Sequence, residues 1–571
     1  MKKLFYYCSF LALPAMAQQM PSDAFEVLET NTIRAHINTD GTLFYNRTAV
    51  GQGFEIPINE GKHSIYSSGL WIQGNDSSSQ AYVSVATYGS EDTDYAPGPV
   101  TNQFMAGDTI WNRLWKISKY QVDDHIMQWN QSNYTIPEVI LNWPAHGDIN
   151  RGQASNLAPF EDLNGNGTYE PLLGEYPSIQ GDHSVFFMFN DATNVSYASG
   201  GDSLRIEVHG LAYGYDCSMD ISFGNIIFVD YKIHNRSGLS YTNTKIGVFS
   251  DFDIGGYDDD YVACDVGRSA YYVYNGDNDD QNSSGSTGYG LNPPAQACVF
   301  LSGPTQDADG LDNAFGIGTG ESINGYGFND WIIDNEKLGM NRFIYFNHAG
   351  PSCCTHPQTD IEFNNYMNSK WRDGSPITYG GVGYGDSLAT KFMFPGDSDP
   401  LNWGTNGADP NYPLTGGWTE ENENNLVGDR RGLGTTGPFT FLQGDVKELT
   451  LAYVFADSDT GDQHSSVALM KQYIDDIMAM RNANGYVDCS SINSIKDVDP
   501  QKELTIYPNP TSNFLYVESL PQGSHTYYIY DIYGKLILTD NLSRSTINTT
   551  NLSQGVYLLK IGNQTRRFIK N

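Results

Sequence analysis

Basic residues are scarce in this chain. Lys and Arg number 32 against 67 Asp and Glu, which leaves a formal charge of −35 over 571 residues. That balance argues against a nucleic-acid backbone or an anionic membrane surface as partner and favours cations. Charged residues are only 17% of the chain, so the acidity reflects missing bases rather than crowded acids. Long apolar runs are scarce too. In "MKKLFYYCSFLALPAMAQQ" the run Leu4 to Leu13 follows two lysines and precedes Ala15-Met16-Ala17, the pattern of a secretory signal peptide cut after Ala17. The run is too short to span a bilayer, and no other stretch reaches spanning length, so no transmembrane segment is expected. Cysteine is sparse as well. Cys8 leaves with the signal, and Cys217, Cys264, Cys298, Cys353, Cys354 and Cys489 remain. An even set in an exported chain fits disulfides, with the pairing left open. "CCTH", Cys353 to His356, lacks the second spaced pair that a zinc site needs.

Catalytic signatures are missing: there is no His-Glu-x-x-His, no Gly-x-Ser-x-Gly and no phosphate-cradling loop. Gly-Asp-Ser-Leu occurs at Gly201–Leu204 and Gly385–Leu388, but neither Ser203 nor Ser387 follows the first strand of an α/β sheet, where such a nucleophile belongs. Acids are so many that pairing two for glycoside cleavage carries no information. No catalytic residue or organic cofactor is assigned, and binding is favoured over catalysis.

What the chain does have is 59 Gly, 38 Tyr and many Asn, Ser and Thr, the composition of short strands joined by turns. "SLRIEVHGLAY" (Ser203 to Tyr213), "NIIFVDYKIHN" (Asn225 to Asn235) and "KIGVFSDFD" (Lys245 to Asp253) read as strands. In the second, Ile227, Val229, Tyr231 and Ile233 share one face. One late helix is expected in "SSVALMKQYIDDIMAMRNANG", with Val467, Met470, Ile474 and Ile477 at helical spacing, Ser465 or Ser466 as cap and Gly485 as stop. "SSINSIKDVDPQKE" then reads as a linker. Beyond it the charge changes sign: from Leu504 onward six bases face three acids, +3, so the remainder carries −38. The fold class is therefore all-β: a multi-domain β-sandwich ectodomain with one late helix, plus a small C-terminal immunoglobulin-like sandwich.

The best metal motif is "EDLNGNGTYEPLLGEYP". Asp162, Asn164, Asn166, the Thr168 carbonyl and Glu170 fall at positions one, three, five, seven and nine of a calcium loop, with Gly167 at the sharp turn. The twelfth position is Leu173, so Glu175 or Asp182 has to replace the usual bidentate glutamate; the alternative is a plain Asx-rich turn. A second acidic cluster, "DFDIGGYDDDYVACD" followed by "NGDNDD" from Asn275 to Asp280, offers Asp251, Asp253, Asp258 and Asp260 with Asp259 and Asp265; a divalent ion would relieve their mutual repulsion, and the alternative is a solvated loop. Structural calcium is the expected cofactor. Trp71, Trp371 and Tyr379 could line a ligand groove, although aromatics in a β protein are more often core.

Residues 504–571 resemble the type A sorting domain of Bacteroidetes type IX secretion cargo in "YPNPTSN", "FLYV", "YIYDIYGKLI", "LSQGVYLLKI" and "RRFIKN". The resemblance implies a β-sandwich that engages the type IX machinery and routes cargo from the periplasm across the outer membrane, to be secreted or held at the cell surface. The middle is similar to an uncharacterised secreted β-rich ectodomain family in "GKHSIYSSGLWIQG", "ITYGGVGYG", "KFMFPGDSDP" and "GPFTFLQGDV"; that likeness carries location and architecture only. The expected organisation is a signal peptide at 1–17, a β-rich ectodomain at 18–489 with a candidate internal boundary near 185–205, a linker at 490–503 and the sorting domain at 504–571. The expected function is calcium-stabilised adhesion to, or binding of, an extracellular glycan or protein polymer. The rival is a secreted hydrolase of polysaccharide or protein.

Overall fold

Two antiparallel sheets face each other across an aromatic core in this computed structural model. It describes residues 23–571 apart from 89–92, 103–108, 194–197, 217–220, 317–321, 348–349, 409–416, 481–504, 519–525, 532–534, 542–545 and 562–563. The signal peptide, Cys217, Cys489, Gly485 and the linker at 490–503 lie outside the described residues. By contact the chain divides into a unit ending at Cys489 and a unit beginning at Ser490.

In the larger unit the first sheet runs Phe25–Thr30, Ile33–Asn38, Phe54–Glu55, His63–Asn75, Tyr241–Phe252, Arg430–Phe441, Arg342–Asn347, with Ala81–Val85 also paired to His63–Asn75. The second runs Asp260–Asp265, Ala270–Asn275, Ala295–Ser302, Val446–Ala456, Ile226–Asn235, Ile206–Gly214, His183–Asn190, Ala96–Pro97, with Trp115–Ser118 added beside His183–Asn190. The faces meet through Tyr271, whose hydroxyl donates to the Val248 carbonyl at 2.8 Å, and Tyr453, whose hydroxyl lies 2.8 Å from Ser68 Oγ. Residues 185–190 belong to the strand His183–Asn190, which pairs with Ile206–Gly214 in this second sheet.

Strand alternation sets the faces. Ile227, Val229, Tyr231 and Ile233 are buried, as their period-two spacing predicts. The next segment, "RSGLSYTN", does not close a hairpin: it carries the chain from the second sheet to the first. Arg430–Phe441 to Val446–Ala456 makes the reverse crossing. Buried Asn235 pins both, because its amide donates to the carbonyls of Leu239, Phe441 and Leu442 at 2.9, 3.1 and 3.0 Å.

Two structures cover the outer face of the second sheet. Helix Gln463–Met480 packs on Ala295–Ser302 and Val446–Ala456 with Met470, Ile474 and Ile477 buried. Its cap is Asp462 rather than either serine. The Asp462 carboxylate accepts the Ser465 N–H at 3.1 Å, and Ser465 Oγ accepts the Asp462 N–H at 3.2 Å, so the serine is the reciprocal partner of the cap. The other cover is the excursion leading from Trp115 to His183, whose apolar side chains Val122, Ile140, Trp143 and Leu157 close over Phe186 and Met188.

The C-terminal unit is a small sandwich by itself. Thr505–Tyr507, Phe514–Glu518 and Thr546–Asn548 form one sheet, and Leu536–Asn541, Thr526–Asp531, Gly555–Ile561 and Gln564–Lys570 the other. Leu515, Val517 and Ile547 meet Ile529, Leu559 and Phe568 between them.

Candidate binding pocket and cation sites

Because Ile227 to Ile233 take the inner face of their strand, Asp230, Lys232 and His234 must take the outer one. Register brings Glu207, His209 and Leu211 beside them on one side and Glu448 and Thr450 on the other. Helix Gln463–Met480 covers a different part of this face, and over the polar part opens a pocket of about 660 Å³. Leu157 and Pro159 of the excursion line it, as do Tyr326, Asn335 and Lys337.

The pocket holds strained titratable groups. Burial pushes Asp230 up to about 6, against the hydroxyls of Thr450 and Tyr213, and its Oδ1 meets no donor. Burial, with the charges of His209 and Arg236, drives His234 down to about 3, so its ring is neutral, and its Nε2 is buried without a partner. The two histidine rings lie 4.5 Å apart. Burial raises Glu207, but the hydrogen bond and charge of His209 and the charge of Arg236 outweigh it and bring the carboxyl down to about 2. Glu448 is tied to Lys337 at 3.3 Å. Donors and acceptors of both kinds over an apolar flank of Phe186 and Leu211 suit a ligand with hydroxyl groups and apolar faces.

The Asp162 loop closes on itself. Asp162 accepts the N–H groups of Gly165, Asn166 and Gly167 at 2.7, 3.2 and 2.7 Å, and the amides of Asn164 and Asn166 both reach Glu170 Oε2 at 2.9 and 2.6 Å. Thr168 donates its N–H to Asn166 Oδ1 at 2.7 Å. The side chains at positions one, three, five and nine are thus brought together, with the amide nitrogens of Asn164 and Asn166 turned to Glu170 and their oxygens accepting backbone N–H groups. Leu173 is exposed in a short 3-10 turn. Of its two possible substitutes, Glu175 is the neighbour: fully buried, it accepts the Glu170 N–H at 2.7 Å and leaves Oε1 unpartnered. Asp182 instead accepts the Asp216 N–H at 2.8 Å.

The second acidic cluster separates into three environments. Asp251 and Asp253 come together with Asp429, one oxygen of each within 4.8 Å of the others. Burial and the Asp429 charge push Asp253 up to about 7, against Arg431. Arg431 answers much of this charge: its Nε lies 3.0 Å from Asp251 Oδ1, and it also pairs with Asp429. Asp258 points to solvent. Asp260 is buried elsewhere, where the charge of Asp280 repels it.

Ser203 Oγ accepts the Arg205 N–H at 3.0 Å, and Ser387 is exposed. Trp71 and Trp371 are wholly core. Cys353 and Cys354 are bonded to each other, and Cys264 and Cys298 are buried free thiols. Sequence reasoning passed over Asp230, Lys232 and His234, although the same alternation that marked their apolar neighbours placed them together. Asp429 had no comparable signal, because only the pairing of two distant strands brings it to Asp251.

A comparison with curated proteins finds no match to the chain. Residues 505–571 match the family model of the secretion system C-terminal sorting domain. Those residues are the small C-terminal sandwich, and by them the chain is cargo of the type IX secretion system, delivered through the outer membrane to the cell surface or beyond it.

Proposed function

We propose that the ectodomain is a non-catalytic protein that binds an extracellular polymer, a glycan chain, in the pocket on the outer face of its second sheet. The observation that carries this reading is the pocket itself: size, mixed donors and acceptors, an apolar flank, and the half-buried Asp230 and His234, each with one buried polar atom, Oδ1 and Nε2, that lacks a partner. Calcium in the loop of Asp162, Asn164, Asn166, Thr168 and Glu170 belongs to the same proposal. That loop lies in the excursion that supplies Leu157 and Pro159, so an ion there would stiffen that part of the lining.

One observation favours the hydrolase. Asp230, held at about 6 beside Glu448, has the raised acidity of a general acid in glycoside cleavage. Glu448, however, is paired with Lys337, and among the described residues no other carboxylate lines the pocket beside these two. The test is a glycan array with the purified mature protein, followed by incubation of each retained glycan. Retention without cleavage, lost at least tenfold in Lys232→Ala, supports binding. Cleavage abolished in Asp230→Asn makes the protein a hydrolase, and failure to retain any glycan removes the pocket reading.

A further inference from the structure

A costly arrangement of charge lies at the start of the strand Asp260–Asp265, away from the pocket. Asp260 is fully buried. Its Oδ2 receives only a long hydrogen bond from the Ile254 N–H, 3.4 Å, and its Oδ1 receives none. Directly across the ladder stands Asn275, also fully buried. Its amide nitrogen is used, donating to the Asp277 carbonyl at 3.0 Å, but its Oδ1 is unpartnered. Asp280, 2% exposed, is held by the N–H groups of Gly256 and Tyr289 at 2.8 and 2.7 Å. Those bonds fix the carboxylate while leaving each oxygen a free lone pair. The charges that act most strongly on Asp260 are Asp280, Asp259 and Asp253, and all repel it. Among the described residues no ion pair joins a base to Asp259, Asp260 or Asp280; Arg430 is near enough to feel the Asp260 charge, but its guanidinium is paired with Glu420 at 2.9 Å.

A buried carboxylate with no ion-pair partner and an orphaned buried amide oxygen each destabilise the fold. One hard cation removes both costs. Carboxylate and amide oxygens from two adjacent strands and a following loop are calcium chemistry, since magnesium demands a stricter octahedron and keeps its water. The backbone is shaped for close approach. A Cβ on Gly255, which has φ +50, would fall 2.0 Å from Asp280 Oδ2, and one on Gly256 would fall 2.0 Å from the Gln281 carbonyl. "DIGG" therefore lets the chain close against Asp280 as no other residues could.

We propose that Asp260, Asn275 and Asp280 hold a structural calcium ion, with Asp259 at its rim, at a site distinct from the Asp162 loop and from the Asp251–Asp253–Asp429 group. Asn275 distinguishes this reading from a mere acidic cluster, because a neutral side chain has no repulsion to relieve, yet directly across the ladder from Asp260 it too leaves a buried oxygen unpaired.

The experiment uses the purified full-length chain without its signal peptide, stripped by chelator and titrated with calcium in 0.1 M salt. Tight sites are counted by calorimetry, and terbium emission excited through tyrosine reports the neighbourhood of Tyr289. Asp260→Asn is expected to lose one tight site and most of the terbium signal, with the calcium-induced rise in melting temperature reduced. Its calcium-free form should melt no lower than calcium-free wild type, because the substitution removes repulsion. Asn275→Leu, which keeps every carboxylate, should weaken the same site at least tenfold, and Asp162→Asn should leave it intact. An unchanged count and affinity in both Asp260→Asn and Asn275→Leu overturns the proposal, as does a wild type whose only tight site vanishes in Asp162→Asn.

Discussion

At the scale of single residues, whether an acid opens a strand or lies in the turn before it decides what it does. Asp258 and Asp260 are two apart in one acidic run, yet one is solvated and the other sealed inside. Local sequence announces the carboxylates and is silent on which will meet a base, because Arg431 and Arg236 arrive from elsewhere in the chain. Glu207 shows the energetic consequence. It accepts from His209 at 3.0 Å, Arg236 at 2.7 Å and the Val100 N–H at 2.8 Å, and is held at about 2 instead of its ordinary 4.5. A carboxyl depressed in this way stabilises the fold fully above pH 4.5, and that contribution is lost as pH falls through 2. Glu207→Gln should cost about 3 kcal/mol at pH 7, the low end for breaking a buried pair because Arg236 stays partly exposed. In urea unfolding the gap between variant and wild type should narrow steadily below pH 4.5. A gap independent of pH would mean that Glu207 acts through shape alone.

At the scale of elements, strands and the late helix were readable wherever one periodicity sufficed. The inner face of Ile226–Asn235 and the buried stripe of Gln463–Met480 follow from spacing alone. What stayed hidden depends on two elements meeting: the helix cap at Asp462, the crossing pinned by Asn235, and the pocket floor, which needs three strands in register. Arg430–Phe441 is the clearest case. Its "RRGLGTTG" looks too rich in glycine for a central strand. The reason lies in the opposite sheet, where the Tyr271 ring crosses it: a Cβ at Gly434 would fall 2.7 Å from Tyr271 and 2.8 Å from Phe300, both buried. Gly434→Val should therefore lower stability by about 2 kcal/mol or more through overpacking, even though valine is the better strand former. Asp462→Ala should cost about 1 kcal/mol through the lost helix cap. Denaturant midpoints of the two variants check both, and a stabilised Gly434→Val would show that propensity outweighs the ring contact.

At the scale of the whole molecule, delivery was the most legible feature because the sorting module carries its own dense pattern. Removing residues 505–571 should leave a folded ectodomain retained in the periplasm; surface delivery of the truncated protein would contradict the role of that unit. The surplus of acid sets a second global property. Burial, mostly with carboxylate neighbours, holds Asp253, Asp259 and Asp280 at about 7, 6 and 7 against an ordinary 3.8. Between about pH 4 and 7 the folded chain then binds more protons at these groups than the unfolded chain, so their contribution to stability falls as pH rises. His36 and His234, lowered to about 4 and 3, act in the opposite sense over much of that window, so the melting temperature alone does not isolate the acids. The calcium increment does, because the histidines contribute equally with and without the ion. Calcium must displace the protons that the carboxylates hold at pH 5 and finds them largely gone at pH 7.5. The rise in melting temperature on adding millimolar calcium to chelated protein should therefore be small at pH 5 and several degrees larger at pH 7.5. An increment that is absent, or that shrinks as pH rises, would separate these carboxylates from cation binding.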